Sequence, residues 1–200
     1  LTAELFDIKF AQSADVMYIT HPSHATRKLS RTGHTAWTLT TVDFTNGPYL
    51  DTNTSATTIT ASAQTVGTGR TFTASANTFA STDVGRLIRF RDGHAKVTGF
   101  TDATVVTVEI LVDTGSASAS TDWSLGAFSD TTGHPSCVTF FEQRLVFAAT
   151  LNNPQTIYFS KSGDYENMDA NIGGTVADDD AIVYTIASNQ VNAIRFLSPT

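Results

Sequence analysis

Several side chains that could take part in nucleophilic or acid–base chemistry lie close together in the last quarter of the chain. Residues 157–168 read IYFSKSGDYENM and place Ser160, Lys161, Asp164 and Glu166 within seven positions. A serine next to a base is the nucleophile of many hydrolases, and carboxylates act as general acids and bases. The segment lacks the Gly-x-Ser-x-Gly elbow that exposes such a serine. Residue types alone therefore do not define a catalytic site here.

A shorter version of this segment occurs earlier, where residues 28–37 read KLSRTGHTAW. The two copies share a strand-like run and a turn glycine, Gly33 or Gly163, and for Gly163 we expect a positive φ. Their charged residues differ, because the positions of Lys161, Asp164 and Glu166 are taken by Arg31, His34 and Ala36. We interpret the repeated part as architecture, namely one strand and its turn.

Three histidines, His21, His24 and His34, lie within fourteen residues, and the two-residue gap in HPSH is a spacing that can chelate a metal. No further Cys or His motif completes a tetrahedral set. Histidines in a turn rich in Pro and Ser are more often surface residues than ligands. The sequence therefore predicts no metal site at these histidines.

An acidic run, ADDDA at residues 177–181, supplies carboxylates of the kind that Ca²⁺ prefers. It lacks the alternating spacing and the glycine of an EF-hand loop, so a solvated turn is favoured, and whether residues 178–180 bind a cation is left open. The glycine-containing stretches TVGTGR and NIGGTV lack the lysine and the strand-to-helix context of a nucleotide site. We assign no catalytic, cofactor-binding or metal-binding residue and predict that the chain is not an enzyme.

Short alternating or β-branched runs, separated by turn residues, recur about every dozen positions, whereas helical periodicity is almost absent. The pattern predicts an all-β protein. Ile8 and Phe10 fall on one face of the first predicted strand, and Met17 and Ile19 fall on one face of the second. Four such strands in about forty residues is the size of one propeller blade.

Sliding the sequence against itself by 130 residues aligns residues 8–38 with residues 138–168 without a gap. A third echo occurs at Ile194–Phe196, which resembles Ile8–Phe10. Between the two long copies, residues 51–127 are rich in Thr, Ser and Ala but keep strand-like apolar spacing. We predict a first β-propeller-like blade at 1–50, an inserted small β-barrel-like domain at 51–127, and a second blade with the start of a third at 128–200. The propeller is incomplete in this chain, and both chain ends are expected to be cuts through a longer polypeptide.

The composition bounds the classes of function. The net charge is −7, and the acidic excess lies mainly in residues 128–200, which argues against tight binding of nucleic acid through phosphate contacts. One cysteine, Cys137, allows no internal disulfide and is expected to be a small buried apolar residue. No apolar run reaches the length of a membrane span, and the first residues do not resemble a signal peptide, so we expect a soluble protein.

Residues 30–37 are similar to the Asp-box turn of sialidase propellers, since Ser30 and Trp37 have the separation of that pattern. Thr32 and His34 stand where the pattern has Asp and Gly, however, and no paired carboxylates of a glycosidase are identified. A carbohydrate-binding or carbohydrate-cleaving β-propeller of a tail or cell-surface protein therefore stays as the alternative function. An intracellular bacterial scaffold is a third option.

Two long phrases resemble the tail nozzle, or tail tubular protein B, family of virion proteins from tailed bacteriophages and prophages. These phrases are LFDIKFAQSADVMYITHPSHATRKLSRTGHTAWTLTTVDF, within residues 1–50, and HPSCVTFFEQRLVFAATLNNPQTIYFSKSGDYENM with DDDAIVYTIASNQVNAIRFL, within residues 128–200. The Thr/Ser-rich insert resembles a small β-domain that is often labelled after the first catalytic cysteine half-domain of ubiquitin-activating enzymes. No nucleotide-binding domain accompanies it and Cys137 lies outside it, so that label implies no activity here. Full members of the nozzle family are several times longer than this chain.

The resemblance implies a non-catalytic structural component of a phage tail that assembles with copies of itself in a ring, as a hexamer in the full-length form. That ring would extend the portal and adaptor channel and conduct DNA during ejection, with transient, non-specific DNA passage. The implied partners are tail adaptor, portal-proximal and tail fibre proteins, and the implied location is the virion tail, after synthesis in the host bacterial cytoplasm. Because a conduit should not retain DNA, we expect acidic residues of the C-terminal blade, or their neighbours in the full ring, to face the lumen.

Overall fold

The computed structural model describes residues 2–172, 174–188, 190 and 192–198. The chain divides into two compact units, one formed by Leu1–Pro48 with Thr132–Thr200 and the other by Tyr49–Thr131. Both are built from β-strands, which confirms the all-β prediction. The helical elements of the described residues are two short 3₁₀ helices, at Thr2–Asp7 and Ser81–Asp83.

The first unit contains two four-stranded antiparallel sheets, each with its strands in chain order. The N-terminal sheet consists of β1 (Lys9–Ser13), β2 (Val16–His21), β3 (His24–Gly33) and β4 (Ala36–Thr41). The C-terminal sheet consists of β11 (Cys137–Phe141), β12 (Arg144–Ala148), β13 (Thr156–Phe159) and β14 (Ile182–Thr185). The two sheets therefore repeat one topology, an up-and-down meander.

The sheets pack on each other through β1, β2 and β11. The face of the N-terminal sheet that bears the buried Tyr18 and Thr20, here called the covered face, lies against the C-terminal sheet. Tyr18 meets Phe140 edge to face, with the ring centroids 6.0 Å apart. We call the side of the C-terminal sheet that bears Phe140 the docked face. Its members are Val138, Phe140, Leu145, Phe147 and Tyr158.

The second unit holds a six-stranded antiparallel sheet in the order β10–β7–β8–β9–β6–β5. Its strands are β5 (Ile59–Ala61), β6 (Gly67–Ala74), β7 (Leu87–Phe90), β8 (Gly93–Asp102), β9 (Val105–Val112) and β10 (Trp123–Leu125). Backbone hydrogen bonds between Ile59 and Ser120 and between Ala61 and Ala117 bring the strand-β5 edge to the segment that leads into β10. The sheet is accordingly curled. Residues 51–127 lie within this unit.

The core of the second unit consists of side chains on the concave side of the curled sheet. Phe72 and Phe90 are fully buried with ring centroids 5.4 Å apart. The remaining large members are Ile59, Phe79, Ile88, Val97, Val106, Val108, Ile110 and Trp123. Alternate residues of β9 point into this core, so the two-residue period of TVVTVEILV reflects burial on one side of the strand.

The structure changes two details of the repeat. The two-residue turn Ala14–Asp15 of the first hairpin corresponds to Glu142–Gln143, two positions away from the ungapped alignment. A shift of two residues keeps each side chain on the same face of a strand, so the relation between the sheets is preserved. A β-bulge between Ile19 and His21 also offsets the pairing of β2 with β3.

The strand expected at Ile194–Phe196 is not formed, since residues 192–198 are assigned no strand. The segment instead lies against the C-terminal sheet, where Ile194 and Leu197 pack on Cys137 and Ala148. The Ile194 amide donates to the carbonyl of Pro154 at 2.9 Å. A ladder requires a neighbouring strand over several residues, and among the described residues 192–198 such a contact is found at the Ile194 amide. The start of a third blade stays a prediction.

Candidate functional site

The most distinctive surface of the first unit is the side of the N-terminal sheet opposite its covered face. Direct cross-strand pairs place Phe10 opposite Ile19, and Met17 opposite Leu29. Leu29 in turn lies opposite Leu39. We call this surface the open face, with the apolar members Phe10, Met17, Ile19, Leu29, Trp37 and Leu39.

Large apolar side chains of the open face are exposed. Phe10 retains 64% of its accessible area, Trp37 56% and Leu39 58%. Scattered exposed apolar residues are ordinary in proteins, but a contiguous patch on one sheet face marks an interaction surface. All six residues of β4 are exposed, and β4 is an edge strand of its sheet. The open face is therefore the candidate functional site of this unit.

Polar groups border the open face at the turn between β3 and β4. The Arg31 guanidinium lies 6.0 Å from the centroid of the Trp37 ring and donates to Asp15 Oδ1 at 3.2 Å. Arg31 Nη2 also lies 3.2 Å from Nδ1 of His34. These residues include Trp37 and His34 of the Asp-box-like segment, which forms the β3–β4 hairpin. One side of the hairpin thus presents an aromatic ring with a cation over it.

Glu166 lies in the segment whose residue types could suggest catalysis, and its side chain binds two residues of the N-terminal sheet. Tyr18 Oη donates to Glu166 Oε1 at 2.9 Å, and Lys28 Nζ forms an ion pair with the same oxygen. Burial raises the pKa of the Tyr18 phenol above its ordinary value, and the Glu166 carboxylate adds to the rise. The phenol is thus held as a hydrogen-bond donor. Glu166 joins the covered face of the N-terminal sheet to the loop after β13.

Lys161 and Asp164 of the same segment are also engaged. Lys161 Nζ donates to Asp180 Oδ1 at 2.8 Å, which lowers the pKa of the Asp180 carboxyl and raises that of the Lys161 ammonium. The backbones of Asp164 and Lys161 form an isolated β-bridge across the turn, and Gly163 between them has a φ of 74°, which confirms the expected positive value. The residues that resembled a catalytic site therefore form a turn, and the ion pair between Lys161 and Asp180 joins this turn to the acidic run.

Backbone carbonyls of the acidic run accept hydrogen bonds from an arginine, Arg144. Arg144 Nη1 donates to the carbonyl oxygens of Ser160 at 2.7 Å and Asp180 at 2.6 Å, and Nη2 donates to that of Asp178 at 2.7 Å. Carbonyl oxygens that could coordinate a cation are therefore directed at a guanidinium. The side chains of Asp178 and Asp179 are exposed.

The histidines do not converge on one point. The rings of His21 and His24 are tilted relative to each other with centroids 4.8 Å apart, and His24 Nε2 lies 3.6 Å from Glu4 Oε2. His34 follows the last residue of β3, at the opposite end of the strand from His24. Within the described ranges, no group of three or more His, Cys, Asp or Glu side chains is placed to hold a metal ion.

Cys137 is a free, buried thiol, as expected for a small apolar residue. Its Sγ contacts the carbonyl oxygen of Ile194 at 3.5 Å.

Sequence reasoning did not identify the open face or the role of Glu166. The spacing of Trp37 and Leu39 in β4 was a usable signal for the first, because these two apolar residues alternate with Thr38 and Thr40. No local signal identifies Glu166, whose partners are more than a hundred residues away.

Comparison with known proteins yields no assignment. The chain matches no protein-family model. It also matches no curated protein sequence. Within residues 2–172, 174–188, 190 and 192–198, no helix has the length and apolar character needed to cross a membrane.

Proposed function

We propose that this chain is a non-catalytic structural component of a ring-shaped conduit for DNA, of the phage tail nozzle type. The observation that carries the proposal is the repeated four-stranded meander. The docked face of one copy packs on the covered face of the other, and the apolar open face of the N-terminal sheet is left exposed. Repeats of this kind gain stability from their neighbours, so the architecture suits assembly rather than chemistry. In this proposal the two sheets of the first unit are β-propeller-type blades.

The second unit would be an inserted, barrel-like domain on this ring. Its hydrogen-bonded sheet edges leave little unpaired backbone for strand addition, which suits a peripheral module. In the proposed ring, its neighbours would be copies of the chain together with the tail adaptor, portal-proximal and tail fibre proteins that the resemblance implies. The location would be the virion tail.

The charge distribution supports passage rather than retention of DNA. Residues 128–200 hold eight Asp and Glu against three Lys and Arg, and Glu142 and Asp164 are exposed. Each contact of a Lys or Arg with phosphate adds salt-dependent affinity, and carboxylates oppose it. We infer that acidic residues of the C-terminal sheet face the lumen.

Electron microscopy of the native protein tests the proposal. We expect six-fold rings with an open central channel whose wall is acidic. Isolated monomers, or rings with a basic lumen, would contradict it. A ring without a channel would also contradict the conduit function.

The second candidate function is carbohydrate binding, which the exposed Trp37 favours because sugars stack on exposed aromatic rings. Arg31 already lies over that ring, and Trp123, Tyr18, Tyr49 and Tyr158 are buried. Binding of the native protein to a glycan array, lost on Trp37→Ala, would support this candidate over the conduit.

A further inference from the structure

The contact between the two sheets of the first unit shows what kind of surface the open face is suited to bind. Aligning the turns of the first hairpins makes Met17 equivalent to Leu145 and Ile19 equivalent to Phe147. Leu145 and Phe147 are buried and share the docked face with Phe140, whose ring contacts Tyr18 of the N-terminal sheet. The open face is thus the counterpart of a face that, in the other copy of the repeat, is covered by a neighbouring sheet.

The counterpart of the covered face lies on the C-terminal sheet. Val146 and Ala148 are equivalent to Tyr18 and Thr20, and cross-strand pairing continues from them to Phe159, Ile182 and Tyr184. We call this the far face, with the members Cys137, Val146, Ala148, Phe159, Ile182 and Tyr184. A further stacking contact would therefore join an open face to a far face.

The far face is covered at its inner strands and exposed at its outer strand. Ile194 and Leu197 pack on Cys137 and Ala148, so β11 and β12 are already shielded. On β14, by contrast, Ile182 is 47% and Tyr184 58% exposed. The outer strand β4 of the open face is likewise exposed at Trp37 and Leu39, and the open face is also exposed at Phe10 on β1. Two exposed apolar outer strands are thus available on opposite sides of the same unit.

The charges around the two surfaces are complementary. Cross-strand pairing puts Arg27 and Arg31 on the open face, beside Ile19 and Trp37 respectively. The acidic turn lies over the far face, because its backbone carbonyls bind Arg144 of β12, and the carboxylates of Asp178 and Asp179 are exposed there. Opposite charges at the rim of an apolar contact set its register and partner.

We propose that the outer strands of the open face bind the outer strands of the far face on a second copy of this chain. Trp37 and Leu39 of one copy pack on Ile182 and Tyr184 of the next, and Arg27 and Arg31 lie near Asp178 and Asp179. The contact joins the same two kinds of sheet face that pack within one copy, but through the outer strands β4 and β14 instead of β1, β2 and β11. This contact is the self-association surface of the proposed ring, so the inference rests on that proposed function.

Such a contact is heterologous, because each copy uses two different surfaces. Heterologous contacts generate rings when the rotation closes and filaments when it does not, whereas an isologous contact stops at a dimer. The proposal therefore expects association beyond a dimer as the protein concentration rises.

Analytical ultracentrifugation of the 200-residue chain tests the contact. We expect concentration-dependent association of the wild type, weakened by at least about tenfold in Leu39→Asp because a carboxylate at the contact centre is desolvated. Val66→Asp is the matched control, since Val66 is an exposed apolar residue of the other unit, and it should associate like the wild type. In a Trp123→Phe background, Trp37 emission should shift to the blue as association proceeds.

A charge exchange tests the pairing of the two surfaces. One variant carries Arg27→Glu with Arg31→Glu, and the other carries Asp178→Lys with Asp179→Lys. Each variant alone should stay monomeric, because its open and far faces carry like charges, and an equimolar mixture should associate again. Adding Leu39→Asp to both variants should abolish association of the mixture, which separates this contact from general attraction between oppositely charged chains.

A monomeric wild type at its highest soluble concentration overturns the inference, as does Leu39→Asp that associates normally while remaining folded by circular dichroism. A mixture of charge variants that stays monomeric also overturns it. These outcomes are distinct from failure of the conduit proposal. Rings seen by microscopy together with a negative result here would keep the conduit and remove this surface from its contacts.

Discussion

At the scale of single residues, the clearest feature of the chain is a buried ion pair in the second unit. Arg86 Nη1 lies 2.8 Å from Asp83 Oδ1, and both side chains are 2% exposed. Burial lowers the pKa of the Arg86 guanidinium, and the Asp83 carboxylate acts in the opposite direction. Asp83 also accepts hydrogen bonds from the amide of Ala80 and the hydroxyl of Thr131. The pair holds together segments that are far apart in sequence.

The substitution Asp83→Asn should lower the free energy of unfolding of this unit by about 3–5 kcal/mol, because it leaves the Arg86 charge buried without a carboxylate. Denaturant unfolding followed by Trp123 emission in a Trp37→Phe background measures it. The exposed Asp51 provides the control, and Asp51→Asn should change the value by less than about 0.5 kcal/mol. Equal effects of the two substitutions would show that the pair does not stabilise the unit.

At the scale of strands and sheets, Glu166 determines how the repeat holds together. Its carboxylate reaches two neighbouring strands of the other sheet, through Tyr18 on β2 and Lys28 on β3. The loop after β13 is also hydrogen bonded to the segment after β4, with the Thr45 amide donating to the Glu166 carbonyl at 2.9 Å. Side chain and backbone of one residue thus fix the two sheets against each other.

We expect Glu166→Ala to destabilise the first unit by about 2 kcal/mol, since it removes charge-assisted hydrogen bonds from a partly buried lysine and a buried phenol. Glu166→Gln should lose less, because its amide oxygen still accepts from Tyr18. Unfolding followed by Trp37 emission in a Trp123→Phe background gives the values. Glu142→Ala, at an exposed turn position, is the control. A larger loss in Glu142→Ala than in Glu166→Ala would disprove the assigned role.

At the scale of the whole molecule, the second unit has an apolar core of its own. Its apolar core is drawn entirely from residues 59–125. Its two ends are adjacent, since Tyr49 pairs with Gly126 and the Leu50 amide donates to the Leu125 carbonyl at 2.8 Å. A unit with its own core and neighbouring ends has the anatomy of an independent domain.

Residues 49–131 expressed alone should therefore fold and unfold cooperatively, with Trp123 in an apolar environment. Circular dichroism in the near ultraviolet and thermal unfolding measure this. Adding Asp83→Asn to the excised unit should lower its Tm, as a check that the native core has formed. A disordered excised unit would contradict the prediction.

The order and approximate bounds of the strands were predictable from the sequence, because β-branched alternation and turn residues act locally. Gly163 and Cys137 were predictable for the same reason, since a turn glycine and a lone apolar thiol depend little on distant partners. The sequence by itself thus determined an all-β chain with a repeated four-stranded unit.

Only the tertiary structure decided which faces are packed. A two-residue period shows that a strand has two sides but not which side meets another sheet, so the buried side of β2 proved to be that of Tyr18 and Thr20, while Met17 and Ile19 belong to the open face. Long-range partners decided the rest. Glu166 reaches Lys28, and residues 178–180 surround Arg144, because folding brings together groups whose sequence neighbours give no sign of the contact.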